Sequence, residues 1–355
     1  MTISIIYARL NISKQSKTNM PRKYESTTEE FSNEPTEFDK KCAELINLFN
    51  LSRPSLDDFR GRRNYDDAQI DRDENVVWLK QRGREERIGE YNATDQDKVL
   101  ESIIYHMGAG HQLFAQETYT EPGSEYDDEF KGADVIFGIP QKNGERDVIF
   151  NVDACTAIRA DAVYEKFKKR DMHEKPDSPL CNQIVYFAHG RTHTRISPSP
   201  NYIVGSMPAH VSKVAEGFDL SNIDNPSSEA SEEFRLKILA EIYAQSATGV
   251  MACDNIAKPT DFTKKARKAH LTAKRASALA ICQSCGIDPR AKDAFNQVAQ
   301  KVNALRSQYS RGDDTFRHIM NESYHRYATE RRKKMAQATA NVGTKLSSSP
   351  SPAMA

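Results

Sequence analysis

Asp134 and Asp153 stand near the two ends of the stretch Gly132 to Thr156, GADVIFGIPQKNGERDVIFNVDACT. Ala133 to Ile139 is an apolar run, and so is Val148 to Val152. Between them Gln141, Lys142, Asn143 and Gly144 supply a polar turn with an Asn-Gly pair, the strongest short hairpin signal. A hairpin reverses the chain, so the start of its first strand and the end of its second lie at one end of a sheet. Asp134 opens the first strand and Asp153 closes the second, which makes their carboxyls neighbours. Two carboxylates that close raise each other's pKa unless a cation lies between them. The chemistry this spacing suits is the holding of a divalent metal ion.

The elements around the hairpin decide what else can reach it. Thr94 or Asp95 can cap a helix running to Met107 with Val99, Leu100, Ile103 and Ile104 on its buried face and Glu101 beside that face. Leu113 to Tyr119 reads as a first strand, and EPGSEYDDE after it as an acidic turn. Behind the hairpin, ADAVYEKFKKR reads as a helix with Val163 and Phe167 on one side. Its Lys166, Lys168, Lys169 and Arg170 lie toward the end, where positive charge suits the helix dipole. QIVYFA (183–188) is a buried strand, HGRTHTRISPSP is irregular because of its prolines, Tyr202 to Val204 is a short final strand, and Pro208 to Phe218 a short helix. Upstream, Phe38 to Phe49 has helical spacing, whereas the charge-rich residues 52 to 75, with Arg60, Arg62 and Arg63, read as a solvated loop.

The order helix, three strands, helix, strand over residues 95 to 205 resembles the αβββαβ core of the PD-(D/E)XK nuclease superfamily, the restriction-endonuclease-like fold. Gly132-Ala133-Asp134 matches that superfamily's first acidic element, with alanine in place of proline. Asp153-Ala154-Cys155 matches the (D/E)-x-K triplet in position, with cysteine in place of lysine. The resemblance implies an α/β fold with a mixed sheet and a metal-dependent phosphodiesterase acting on nucleic acid. Asp134, Asp153 and Glu101 would hold the metal. Hard oxygen ligands select Mg²⁺ or Mn²⁺, which activates water and offsets charge on the phosphate. A cysteine, never cationic, cannot replace the lysine, so Lys166 or Lys168 on the following helix would supply the positive charge. The alternative reading is a catalytically degenerate nuclease-fold protein that binds nucleic acid or another protein. Cys155 favours that reading, and the acidic pair favours catalysis.

The rest of the chain sets the frame. Its 355 residues divide into a polar, disordered segment over 1–37, the α/β domain over 38–220, a helical domain over 231–337 and a disordered Ser/Pro/Ala-rich tail over 338–355, with a linker at 221–230. Helices are expected from Ser231, over Lys264 to Cys285, from Asp288 and over Phe316 to Met335. The net charge is zero, so any footprint for nucleic acid is local. Lys264, Lys265, Arg267, Lys268, Lys274 and Arg275 form one such stretch, and Arg331 to Lys334 another. Cys282 and Cys285 share a helical face and read as packing, because no second CxxC completes a zinc site. His106 and His111 read as structural, and His189 and His193 as part of a basic loop. Six scattered cysteines and the lack of a long apolar run fit a cytoplasmic protein with no membrane span. Without a GxxxxGK loop, ATP hydrolysis has no support.

Overall fold

Side-chain alternation along the two apolar runs builds the centre of the molecule. In the computed structural model, strands β2 (Val135–Ile139) and β3 (Val148–Cys155) pair antiparallel with Val135 opposite Val152 and Phe137 opposite Phe150. Strand β1 (Tyr119–Pro122) adds antiparallel beside β2, and β6 (Asn201–Gly205) adds parallel beside β3, from Asn151↔Asn201 to Cys155↔Gly205. The result is a mixed four-stranded sheet in the order β1-β2-β3-β6. The structure describes residues 36–85, 94–114, 117–140, 147–157, 159–173, 183–197, 199–219, 229–254, 261–288, 291, 293–309 and 312–347. The expected turn at Gln141 to Gly144, the segment 1–35, most of the expected linker and the end of the tail lie outside them.

The helices surround this sheet in chain order. They are α1 (Glu37–Ser52), α2 (Asp67–Glu85), α3 (Thr94–Ala109), α4 (Glu125–Lys131), α5 (Ala160–His173) and α6 (Pro208–Gly217). A helical C-terminal region follows, with α7 (Glu229–Asp254), α8 (Asp261–Ser284), α9 (Ala294–Tyr309) and α10 (Asp314–Ser347). One face of the sheet, carrying Val135, Phe137, Phe150, Val152 and Ala154, packs on Ile103, Ile104 and Met107 of α3. Phe234 and Ile238 of α7, Ile281 of α8, Val302 of α9 and Met320 of α10 join the same cluster. The helical region therefore extends the core of the sheet across the expected boundary at 221–230. Where β6 would leave an open edge, Gln245 of α7 accepts from Ile203 N at 3.0 Å and donates to Ile203 O at 2.6 Å. Glu241 accepts from Gly205 N at 3.0 Å. Two side chains thus take the place of a further strand.

The opposite face is covered in two separate patches. Ile136 and Ile149 meet Ile184 and Phe187 of β4 (Ile184–His189), while Cys155 and Ile203 meet Val163 and Phe167 of α5 and Ile319 of α10. Alternation along β3 leaves Asn151 and Asp153 between the two patches. That gap is where charged side chains collect.

Several expectations are corrected. The first strand is Tyr119–Pro122 rather than Leu113 to Tyr119. Leu113 and Phe114 are apolar because both are buried, Phe114 against the rings of Phe137 and Phe150. The acidic turn is α4: Ser124 caps it by accepting from Asp127 N, and Gly132 ends it in the left-handed conformation at φ 64°. QIVYFA is a strand, but it pairs with β5 (Thr192–Ile196) in a separate two-stranded sheet. β5 lies in the segment expected to be irregular; its prolines follow the strand rather than interrupt it. Asp127, fully buried in α4, fastens this ribbon by accepting from Val185 N and Tyr186 N, both at 2.8 Å. Residues 52–75 are not a loop throughout, since α2 begins at Asp67 and Arg60 is held by Asp57, Asp71 and Glu74 at 2.6 Å each. The helix α10 continues to Ser347, through the start of the expected disordered tail. No helix among the described residues is long and apolar enough to cross a membrane.

Candidate metal centre

Charged side chains from α1's C-terminus, α3, α4, β2, β3 and α5 converge at the gap. The β2–β3 register places Asp134 opposite Asp153, one step beyond the Val135↔Val152 pair, so both point to one face. Asp134 Oδ2 accepts from Ala154 N at 2.6 Å, which ties the start of β2 to the end of β3. On α3, Lys98 donates to Glu101 Oε2 and to Asp128 Oδ2, each at 2.7 Å. Arg53 donates to the same Asp128 oxygen at 2.7 Å and lies 3.6 Å from Glu101. Asp134 also hydrogen-bonds Asp128. Glu101, Asp128 and Asp134 each offer an oxygen within 4.8 Å of the other two, so Asp128 stands in this group in the place expected for Asp153. That spacing is close to twice a ~2.1 Å metal–oxygen distance.

Lys166 reaches back from the second turn of α5. It donates to Asp153 Oδ1 and, at 2.5 Å, to the carbonyl of Ala154. Its ammonium thus sits beside the backbone that carries Cys155. Burial pushes the Cys155 thiol up to about 11, so it is neutral, packed with Val163 and Phe167. Lys168 is not brought to the cluster: it faces solvent beside Glu165 at 3.4 Å. Lys169, held below the usual lysine range by burial, does feel Asp153.

Arg53 and Lys98 pair with Glu101 and Asp128, and Lys166 with Asp153, whereas Asp134 makes no ion pair among the described residues. Burial and the neighbouring Glu101, Asp128 and Asp153 raise Asp134 well above the carboxylate range. Burial and Asp128 push Glu101 up to about 7 against the pull of Lys98 and Arg53. Asp128 is held far below the usual range, because Lys98 and Arg53 outweigh the effect of its burial. A buried cluster of oxygen ligands whose carboxyls Glu101 and Asp134 are pushed toward the protonated form has the donor set for a hard cation. The residues present fit a divalent metal.

Gly132 packs closely against Asp153. A Cβ added there would come 2.5 Å from Asp153 Oδ2, and the backbone is left-handed. Gly132→Ala is expected to destabilise the fold by roughly 1–3 kcal/mol, from left-handed strain and displacement of Asp153. Urea unfolding checks this, and an unchanged midpoint would show that Asp153 moves freely.

Asp128, Arg53 and Lys98 escaped the sequence reading. Asp128 was hidden in a supposed turn, although Ser124 three residues before Asp127 and Gly132 at the end are helix-cap signals. Lys98 sits three residues before Glu101, a spacing that pairs them on any helix. Arg53 carries no such signal. The basic stretch on α8 does not form one exposed face: Lys274 is buried against α7, where a Cβ on Gly249 would meet its Cδ at 2.1 Å, while Arg275 is exposed. The side chains of Lys264, Lys265, Arg267 and Lys268 lie outside the described residues. His189 is engaged by Glu121 at 2.6 Å and stacks on Tyr119, away from the cluster's ion pairs. Cys282 and Cys285 are free thiols, Cys282 buried in the main core. Comparison of the chain with protein-family models, curated proteins and solved structures finds no match.

Proposed function

We propose that the chain is a metal-dependent phosphodiesterase acting on nucleic acid, built on a restriction-endonuclease-like core. The observation that carries this reading is the buried meeting of Glu101, Asp128 and Asp134 beside the Asp153–Lys166 pair. The element order supports it: helix α3, strands β1, β2 and β3, helix α5 and the parallel strand β6 follow the αβββαβ pattern, with α4 inserted between β1 and β2 and the β4–β5 ribbon before the last strand. Glu101, Asp128 and Asp134 would hold Mg²⁺ or Mn²⁺. A bound ion there would supply an activated water and offset charge on the phosphate. Asp153 holds and orients Lys166. The Lys166 ammonium, fixed between Asp153 and the Ala154 carbonyl, is placed to stabilise negative charge developing on a phosphate at the mouth of the site. Arg53 and Lys98, both partly open to solvent, can exchange a carboxylate for a phosphate oxygen.

The protein should cleave labelled nucleic acid with Mg²⁺ or Mn²⁺ and stop when EDTA is added. Cleavage that survives EDTA would remove the metal from the reading. One observation favours the second reading, a non-catalytic binding module: Lys98 and Arg53 already neutralise Glu101 and Asp128 without a metal. Wild type that binds nucleic acid but stays inert with both metals would select it.

A further inference from the structure

A cavity of about 710 Å³ opens directly beside the charged cluster, between the C-terminal end of α1, α2 and α4. Its volume falls within the ~300–1,000 Å³ range of small-molecule sites. Arg53, Lys98 and Asp128 of the cluster form one part of its wall. The facing wall is a single side of α2, formed by Glu74, Val77, Trp78 and Gln81 at helical spacing. Trp78 is 52 % exposed, although it is a large apolar ring with a cavity to fill. Arg82 lies over its ring at 5.3 Å from the centroid and holds its orientation.

The charge of the lining says which part of a nucleic acid belongs there. Of the lining carboxylates, Asp128 is paired with Arg53 and Lys98, Glu74 with Arg60 and Glu129 with Lys80, so a phosphate deep in the cavity would meet no positive excess. A neutral nucleobase needs none. Its flat face suits an indole, and its ring and exocyclic N–H groups donate to carboxylates and to the amide oxygens of Asn50 and Gln81, which also line the space. The cations lie where the cavity meets the acidic cluster, which is where the backbone phosphate must pass.

Resting on the phosphodiesterase reading, the geometry points to a base-binding pocket: an unpaired nucleobase next to the cleaved phosphate enters this cavity and stacks on Trp78. The preferred substrate then has a single-stranded or extruded nucleotide at the cleavage point. A fully paired duplex leaves the pocket empty, because a base inside the stack cannot reach it.

The chain contains one tryptophan, so fluorescence excited at the red edge, where its tyrosines do not absorb, reports on this wall alone. With Ca²⁺ in place of Mg²⁺, a short single-stranded oligonucleotide is expected to quench that fluorescence, and a blunt duplex of the same sequence to leave it unchanged. Trp78→Ala should weaken oligonucleotide binding, read by anisotropy of a labelled strand, by about 10- to 100-fold. Duplex binding should not change, and Trp78→Phe should retain most of the affinity for the single strand. Because the ring is half exposed, neither variant threatens the fold. Absence of oligonucleotide binding, binding without quenching, or equal losses for strand and duplex in Trp78→Ala would each overturn the pocket. Quenching by a protein that never cleaves would keep the pocket and sink the phosphodiesterase reading. Metal-dependent cleavage that is the same in wild type and Trp78→Ala, with no quenching, would do the reverse.

Discussion

Asp134→Asn is expected to abolish metal-dependent cleavage, a loss of about 10³-fold or more, while leaving the chain folded. The amide oxygen can still accept from Ala154 N, and the amide N–H₂ can donate to the neighbouring Asp128 carboxylate. What disappears is the charge that a metal needs. Unfolding in urea should therefore shift by no more than about 1 kcal/mol while activity vanishes. Cleavage that persists in this variant would defeat the metal reading whatever the wild type does. The protons make a second, independent check. Glu101 and Asp134 bind protons more tightly in the folded chain than in the unfolded one, so without metal the protein should lose stability as pH rises from about 4.5 to about 7. Asp128 acts in the opposite sense, but only below its ordinary value near 3.8. A divalent ion must displace those protons, so its affinity should increase as pH rises through about 7, with proton release visible by calorimetry in buffers of different ionisation heat. Binding that ignores pH across that range would place the ion elsewhere.

What the sequence made legible follows a physical divide. The β2–β3 pairing could be read because alternation and an Asn-Gly turn are local signals, and the shared end of a hairpin brings Asp134 to Asp153 whatever surrounds it. Lys166 was legible as one of two candidates, and its position in α5 decides between them: Lys166 lies one residue before Phe167 on the side that packs on the sheet, whereas Lys168 turns to solvent. Helix α4 was missed because five acidic residues in nine mask a helix only seven residues long, and with it went Asp128. Two adjacent aspartates there have unrelated tasks, Asp127 fastening β4 and Asp128 meeting the cations, and no pattern in EYDDEF separates them. Helix α2 was missed for a related reason. Its buried residues Ile70, Asp73 and Val77 include a carboxylate, and Trp78 and Leu79 remain exposed, so its apolar face is not continuous. The pocket beside the site was therefore invisible, because one wall of it was not read as an element at all.

Lys166→Met is expected to lower turnover by about 10²-fold or more, as removal of one group stabilising transition-state charge does. It also leaves the buried Asp153 without its ion-pair partner, so lost stability must be measured alongside lost rate. Cys155→Lys separates the two. In the wild-type background a second ammonium should add little, because Lys166 already occupies the space between Asp153 and the Ala154 carbonyl. The new side chain must also leave a packed apolar pocket formed with Val163, Phe167 and Ile203. In the Lys166→Met background the same substitution should restore a partner for Asp153 and recover part of the rate, since residues 153 and 155 share one face of β3. Recovery in the double variant, with no gain in the single one, is the signature of a lysine that has moved from strand to helix while its charge stayed in place. An inert wild type that gains weak cleavage from Cys155→Lys alone would mean that Lys166 merely neutralises Asp153. Equal rates in wild type and Lys166→Met would mean that the cation the reaction needs comes from Arg53, Lys98 or Lys169, the other positive groups facing this cluster.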